Sequence, residues 1–403
     1  MSSDFARPET PERWIRPRRF KVEHVDLDVR IDLEARTVSG RVQHRLAFFP
    51  HAARGSVDLD QQDLQIRAVS VDGAPAAFSL SDGRLSIALP AEVGDHLLIA
   101  VDFACEHPRK GLYFVAADAE RGEVAMAWTQ GAMEDHHHWF PCFDDPNNLA
   151  TYRIAITRRD GLAALATGDL VEDRVVEPGW RRSVHDQTRP HVLYLVNVVV
   201  GDLVSVDDEA ADVDGCRIPI RHWLPRGREA EAGVFRATRF AIEWLSRTTG
   251  VPYAWTRYGH VVVHRFLWGG MENTTLTTIT DRALCPADVA EREDVEADDL
   301  VIHELVHQWY GDLLTMKAWS DIWLNESFAT WLEARGSAAW RAGRGEGVEA
   351  DILDRLLWAN REAYHEQESS RYRRALVTRR YDDAYELFDR VAYEKVSLVL
   401  HHL

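Results

Sequence analysis

Apolar and polar residues alternate through the first half of the chain. Residues 20–49, FKVEHVDLDVRIDLEARTVSGRVQHRLAFF, carry a period of two around turn signals at Ala35-Arg36 and Ser39-Gly40. LQIRAVSVDG, RLSIALP, HLLIAVDFAC, TYRIAITRR and HVLYLVNVVVGDLVSV continue the pattern, and Asp72-Gly73 and Asp82-Gly83 read as hairpin turns. Many short strands at this spacing predict a sandwich-like all-β domain over residues 1–205. The period then changes. EAEAGVFRATRFAIEWLSRTTG has helical spacing and should stop at Gly250, and GHVVVHRFLWGGMENTTLTTIT returns to β. After about residue 290 the spacing is helical almost to the end. Asp294, Glu296, Asp298 and Asp299 suit the N-terminus of one helix, with Gly311 as its stop. A second helix should start near Ser320 or Asp321 and run to about Gly336. There is no internal repeat and no low-complexity segment. The expectation is an α+β chain of two domains, 1–205 and 206–403.

Composition narrows this only a little. With 46% hydrophobic and 28% charged residues, the 403-residue chain can bury a large core without disulfide staples. Its net charge of −18 argues against nucleic acid or an anionic membrane surface as partner. That charge is compatible with a substrate carrying a positive amine, although solubility would explain it as well. Cys105, Cys142, Cys216 and Cys285 show no CxxC spacing. The first residues contain no apolar leader and no stretch approaches the ~18 apolar residues of a membrane span, so a cytoplasmic setting is expected.

The chemistry is concentrated in VIHELVHQWYGD, residues 301–312. On a helix, positions four apart lie about 40° apart and roughly 6 Å along the axis. His303 and His307 can therefore aim at one zinc ion, while Glu304 projects beside it, where a base acting on a zinc-bound water belongs. Glu326 follows His307 after 18 intervening residues, room for a turn into a second helix that supplies a third ligand. Three protein ligands leave a position open, the mark of a catalytic site. Glu333, seven residues on, falls on nearly the same face and could hold a ligand histidine's other nitrogen. Trp309, Trp319, Trp323 and Trp331 read as packing between the two helices, and His136, His137 and His138 as surface or loop residues.

HExxH, 18 residues, then Glu resembles the pattern of the gluzincin aminopeptidases, the family of aminopeptidase N and leukotriene hydrolase. LWGGMENTT at 267–275 is similar to that family's exopeptidase signature. By that resemblance the backbone of Gly269, Gly270 and Met271 aligns a peptide, with Asn273 in the same motif, and Glu272 receives its free α-ammonium group. WTQGAMEDHHHWFPCFDDP at 128–146 resembles the segment that places Gln130 at the pocket for the N-terminal residue, with Ala132 where the family has Glu or Gln. The GAME within it, residues 131–134, reads as a coincidental echo of the exopeptidase motif. VAYEKVSLVLHHL resembles the Tyr-x-Lys-Gly context, which implies that Tyr393 donates to the oxyanion; Val396 replaces the glycine. The resemblance runs from about residue 20 to the end. It implies an N-terminal β domain, then a thermolysin-like catalytic domain lacking its C-terminal helical part. The implied activity is that of an aminopeptidase with one zinc per chain, acting on peptides with a free N-terminus. A related zinc hydrolase of a non-peptide substrate, and a weakly active or inactive relative serving as a binding module, are the alternatives.

Overall fold

The structure, a computed structural model, describes residues 3–286, 289–290 and 296–403. An N-terminal β-rich domain is followed by a mainly helical second domain. The first is built on an eight-stranded sheet in the order 169–177, 180–192, 149–159, 20–32, 37–48, 96–106, 65–71, 74–75. Three- and four-stranded sheets accompany it. Alternation along Phe20–Asp32 turns Val25, Leu27, Val29 and Ile31 inward, each at most 4% exposed, onto Val38, Val42 and Leu46. Full burial of such side chains contributes ~1.5–3 kcal/mol each, and this face forms a continuous apolar core.

Asp72-Gly73 and Asp82-Gly83 are two-residue hairpin turns in which all four residues have positive φ. Ser39-Gly40 is not a turn: both residues lie inside strand Thr37–Phe48, and the reversal is at Leu33–Arg36. Gly40 answers a different need. A Cβ there would lie 2.0 Å from the Asp28 carbonyl, so the glycine permits close approach of two strands.

Strand Leu203–Val213 pairs with Cys216–Pro225 and opens a five-stranded sheet that continues through His260–Val263 and Thr277–Thr280 to Gly270–Met271 at its edge. Helices α1 (Thr238–Thr249), α2 (Glu296–Val306), α3 (Trp323–Gly343), α4 (Glu349–Ser370) and α5 (Val396–His402) complete the domain. Gly250 closes α1 in the left-handed conformation, as its sequence signals. Asp294 lies outside the described residues. Asp298 binds Arg236 through both oxygens and accepts from Trp340 Nε1 at 3.1 Å, and Asp299 pairs with Arg341. These acids therefore tie α2 to its neighbours.

Three helix expectations need correction. The α2 ladder ends at Val306, before Gly311, although His307 N–H still donates to the His303 carbonyl at 3.4 Å. The second helix runs on to Gly343 because Gly336 is a contact point: a Cβ there would stand 2.9 Å from Ile302 Cγ2 on α2. Residues 371–390 are largely non-helical, held instead by the N-terminal segment, since Ser3–Asp4 pairs with Tyr372–Arg373 and Arg13 bonds the Tyr381 carbonyl. A further core runs across both halves, from Trp128 and Leu195 to Met271, Trp319 and Ala392, and an open cavity of about 1440 Å³ borders it. No described helix is long and apolar enough to cross a membrane.

Candidate active site

His303 on α2, His307 just beyond its last turn and Glu326 in the first turn of α3 line that cavity together. The Nε2 atoms of the two histidines lie 3.2 Å apart, and Glu326 Oε2 is 3.5 and 3.4 Å from them. A tetrahedron with bonds of about 2.0–2.1 Å has edges of about 3.3–3.4 Å, so the three atoms are spaced as zinc ligands. The outward nitrogens are committed. His307 Nδ1–H donates to the Tyr310 carbonyl at 3.0 Å, and His303 Nδ1–H to Glu333 Oε2 at 2.8 Å. Both Nε2 lone pairs then face inward, toward a buried Glu326 oxygen that has no hydrogen-bond partner. Three acceptors around one point require a cation. Burial opposes charge on all three, yet the attraction between Glu326 and the two imidazoles, joined by Glu272 on His307 and by Glu333 on His303, outweighs it: Glu326 is held below the usual carboxylate range and both histidines above the usual imidazole range. Among the described residues this is the one group with metal-ligand convergence.

Glu304 is 5% exposed and one of its oxygens lacks a partner. Burial first, then the carboxylates of Glu272 and Glu326, push it up to about 8 against the opposing histidines. Gly270 faces it so closely that a Cβ would lie 2.3 Å from Glu304 Oε1. The edge strand Gly270–Met271 pairs with Thr277–Thr280 on one side only, and Gly269, Gly270, Met271 and Glu272 all line the cavity. An unpaired strand edge beside the metal site can accept an extended peptide as a further strand. Glu272, 7% exposed, is raised by burial.

Two motif residues are placed differently from expectation. Gln130 does not reach the cavity wall; it is fully buried behind Met271, donating to its sulfur at 3.2 Å. Ala132 lines the cavity instead. Asn273 is also fully buried. It donates to the Leu195 carbonyl and accepts from Thr278 Oγ at 2.7 Å, bracing the loop. Trp319, expected as helix packing, is a cavity wall whose indole donates to Glu134 at 2.7 Å, while Trp309 is core. Trp323 and Trp331 are half-buried. His136 is not a surface residue: it is fully buried and accepts from Trp139 Nε1, while His137 pairs with Asp144.

Tyr393 lines the cavity from a π-helical turn, Val391–Lys395, that leads into α5. Its ring lies nearly parallel to that of His303 at 6.1 Å. Burial and the surrounding carboxylates, Glu326 first, drive its hydroxyl well above the usual phenol range, so it stays protonated and can donate. Val396 is buried in the same stretch.

Several positioning residues carry no motif of their own. Gln308 donates to the Glu272 carbonyl at 3.0 Å and accepts from Thr275 N–H, fixing the Glu272 loop to the end of α2. Asn325 donates to Tyr194 Oη, and Ser327 Oγ–H donates to the Ala392 carbonyl beside Tyr393. The available signal is adjacency, since these three residues flank His307 and Glu326.

Known proteins match this arrangement along nearly the whole chain. A model described as the Peptidase M1 N-terminal domain matches residues 21–195, and one described as the Peptidase family M1 domain matches residues 235–403. Aminopeptidase 2, mitochondrial, of Saccharomyces cerevisiae is 29% identical over 339 residues, 80% of this chain and 35% of its own. Aminopeptidase N of Streptomyces lividans is 26% identical over 386 residues, 94% of this chain and 43% of its own. The chain thus spans less than half the length of these curated relatives. The M1 zinc metallopeptidase of Deinococcus radiodurans superimposes with a TM-score of 0.75 at 21% identity, over 99% of this chain and 84% of its own. Yeast LTA4 hydrolase with bestatin gives 0.76 at 22%, over 95% and 59%. These two establish likeness of fold. With both family models in chain order around a converging His-His-Glu set, the chain belongs to peptidase family M1, the gluzincin aminopeptidases.

Proposed function

We propose that this chain is a zinc aminopeptidase that removes the N-terminal residue of peptides, with one zinc per chain held by His303, His307 and Glu326. The convergence of those three ligands beside Glu304 carries the reading. Zinc bound there supplies Lewis-acid polarisation of the scissile carbonyl and acidifies water. Glu333 fixes the His303 tautomer. The Gly269–Met271 edge takes the peptide backbone by strand pairing, with Gln130 supporting Met271 from behind and Asn273 bracing the loop. Glu272 pairs with the α-ammonium group, which limits cleavage to the first bond. Glu304 removes a proton from the attacking water and delivers it to the leaving amine. Tyr393 donates its hydroxyl hydrogen to the oxyanion. We place the junction between the β domain and the catalytic domain near residue 205, and the protein in the cytoplasm, where cysteines need form no disulfides.

The direct test compares an aminoacyl p-nitroanilide with its N-acetylated form on zinc-loaded protein. The free amine should be cleaved at least about 100-fold faster, roughly the strength of one buried charge-assisted contact. Equal cleavage of both would remove the exopeptidase assignment. Gly270→Ala is a second check. The added methyl must push the flexible Glu304 carboxylate aside, so kcat should fall roughly 100-fold, the cost of about 1 Å of misplacement. Zinc content should be unchanged. An alanine variant with parental kcat would show that Glu304 does not need its observed position.

A further inference from the structure

Tyr393 stands on a single turn of π-helix, a conformation that rarely persists without outside support. The support is Asp389. Its carboxylate accepts from Val391 N–H at 3.0 Å and Ala392 N–H at 3.1 Å, while its carbonyl accepts from Ala392 N–H and from Tyr393 N–H itself, at 3.2 Å. The same carboxylate is gripped by Arg374 in a two-point ion pair, Nε–Oδ2 2.8 Å and Nη2–Oδ1 2.5 Å, with both side chains no more than 5% exposed. Tyr372 Oη–H adds a bond at 3.0 Å and Gln367 Nε2 one at 3.4 Å.

Arg374 is itself immobilised. It donates to the carbonyls of Ala375, Leu376 and Leu387, and its guanidinium lies 5.4 Å from the Phe5 ring centroid. A planar fork bonded on every edge transmits position where a flexible ammonium would not. One pair thus fixes an otherwise irregular segment, 371–390, to the turn carrying Tyr393.

We propose that Asp389 and Arg374 are a positioning pair for the reaction, acting through Tyr393 by holding its hydroxyl at the oxyanion. This rests on the role given to Tyr393 above. The hydrogen bonds and ion pairs of the two residues run to each other, to the Tyr393 turn and to segment 367–387, and none of these reaches a metal ligand. Asp389 borders the cavity, but its carboxylate is taken up by these partners, so the pair should act on kcat and leave zinc and KM little changed.

The test measures kcat, KM, zinc content and melting temperature on leucine p-nitroanilide for the parent, Asp389→Asn, Arg374→Lys, Tyr393→Phe and each of the first two combined with Tyr393→Phe. Asp389→Asn should lower kcat roughly 10- to 100-fold with KM within about threefold. Arg374→Lys keeps the charge but loses the fork, and should lower kcat by a smaller factor at near-parental melting temperature. In the Tyr393→Phe background each substitution should cost less than about threefold more, because its target hydroxyl is already gone. Parental kcat in both single variants, or losses that multiply in full with Tyr393→Phe, would overturn the pair's role. If Asp389→Asn does not fold, Arg374→Lys alone and with Tyr393→Phe decides the same question. Parental kcat in Tyr393→Phe itself is a different result: it removes the tyrosine from the reaction and the pair with it.

Discussion

Glu304→Gln is expected to keep zinc and lose nearly all hydrolysis. Glutamine preserves the volume that Gly270 accommodates, so the packing at this position survives. It also leaves His303, His307 and Glu326 untouched, and their Nε2 and Oε2 atoms are spaced for the metal without Glu304. What disappears is a group that can both accept and release a proton. General acid–base assistance is worth roughly 10²–10⁴-fold, or about 3–5 kcal/mol in barrier. Zinc content by elemental analysis beside turnover on leucine p-nitroanilide reads both halves of the outcome. Turnover within about tenfold of the parent, with zinc retained, would rule out Glu304 as the base.

Glu326→Ala should give the opposite pattern: zinc is lost first, and activity follows it. The two histidines alone offer two of the three atoms, and nothing else in the described site converges on the same point. Outer partners of metal ligands are worth about 10–100-fold in affinity, so deletion of a direct ligand should cost at least that. The site chemistry makes the loss larger. With the carboxylate gone, two imidazoles 3.2 Å apart remain, and the anionic ligand that met both of them is missing. Dialysis against excess chelator followed by zinc titration measures the change. Stoichiometric zinc in Glu326→Ala after such dialysis would show that the metal is held by some other set. The contrast between the two variants, one inactive with zinc and one inactive without it, separates the proton-transfer role from the metal-binding role.

The β half is legible because its strands are half-buried. Alternation from Phe20 to Asp32 and the Asp-Gly pairs at 72–73 and 82–83 depend only on local geometry and on which face meets the core. Where glycine serves close packing instead of a turn, local reading fails. Gly40 and Gly336 look like punctuation along the chain, but they admit the Asp28 carbonyl and the Ile302 side chain. Nothing in their neighbours in sequence announces a contact from a distant element.

The site divides in the same way. Helix periodicity aligns His303 with His307, and the 18-residue spacing leaves room for a turn that lets Glu326 meet them from the next helix. Glu333 follows by the same arithmetic, seven residues along one helix face, and it meets His303. The helical spacing is expected to continue through the 371–390 segment, and nothing along the chain marks its arginines and aspartates as buried. In the fold Arg374 and Asp389 are among the least exposed charged side chains, because the N-terminal segment covers one side and the Tyr393 turn closes the other.

The sequence by itself therefore pointed to the three converging side chains, the carboxylate beside them and the order of a β-rich half before a helical one. Those features follow from periodicities of two and 3.6, which the chain carries wherever it goes. Tertiary structure alone decided that Gln130 stands behind Met271, that Trp319 walls the cavity, and that Tyr393 is held by a buried ion pair. Each depends on which distant surfaces come to cover which side chains, and burial of that kind has no period along the chain.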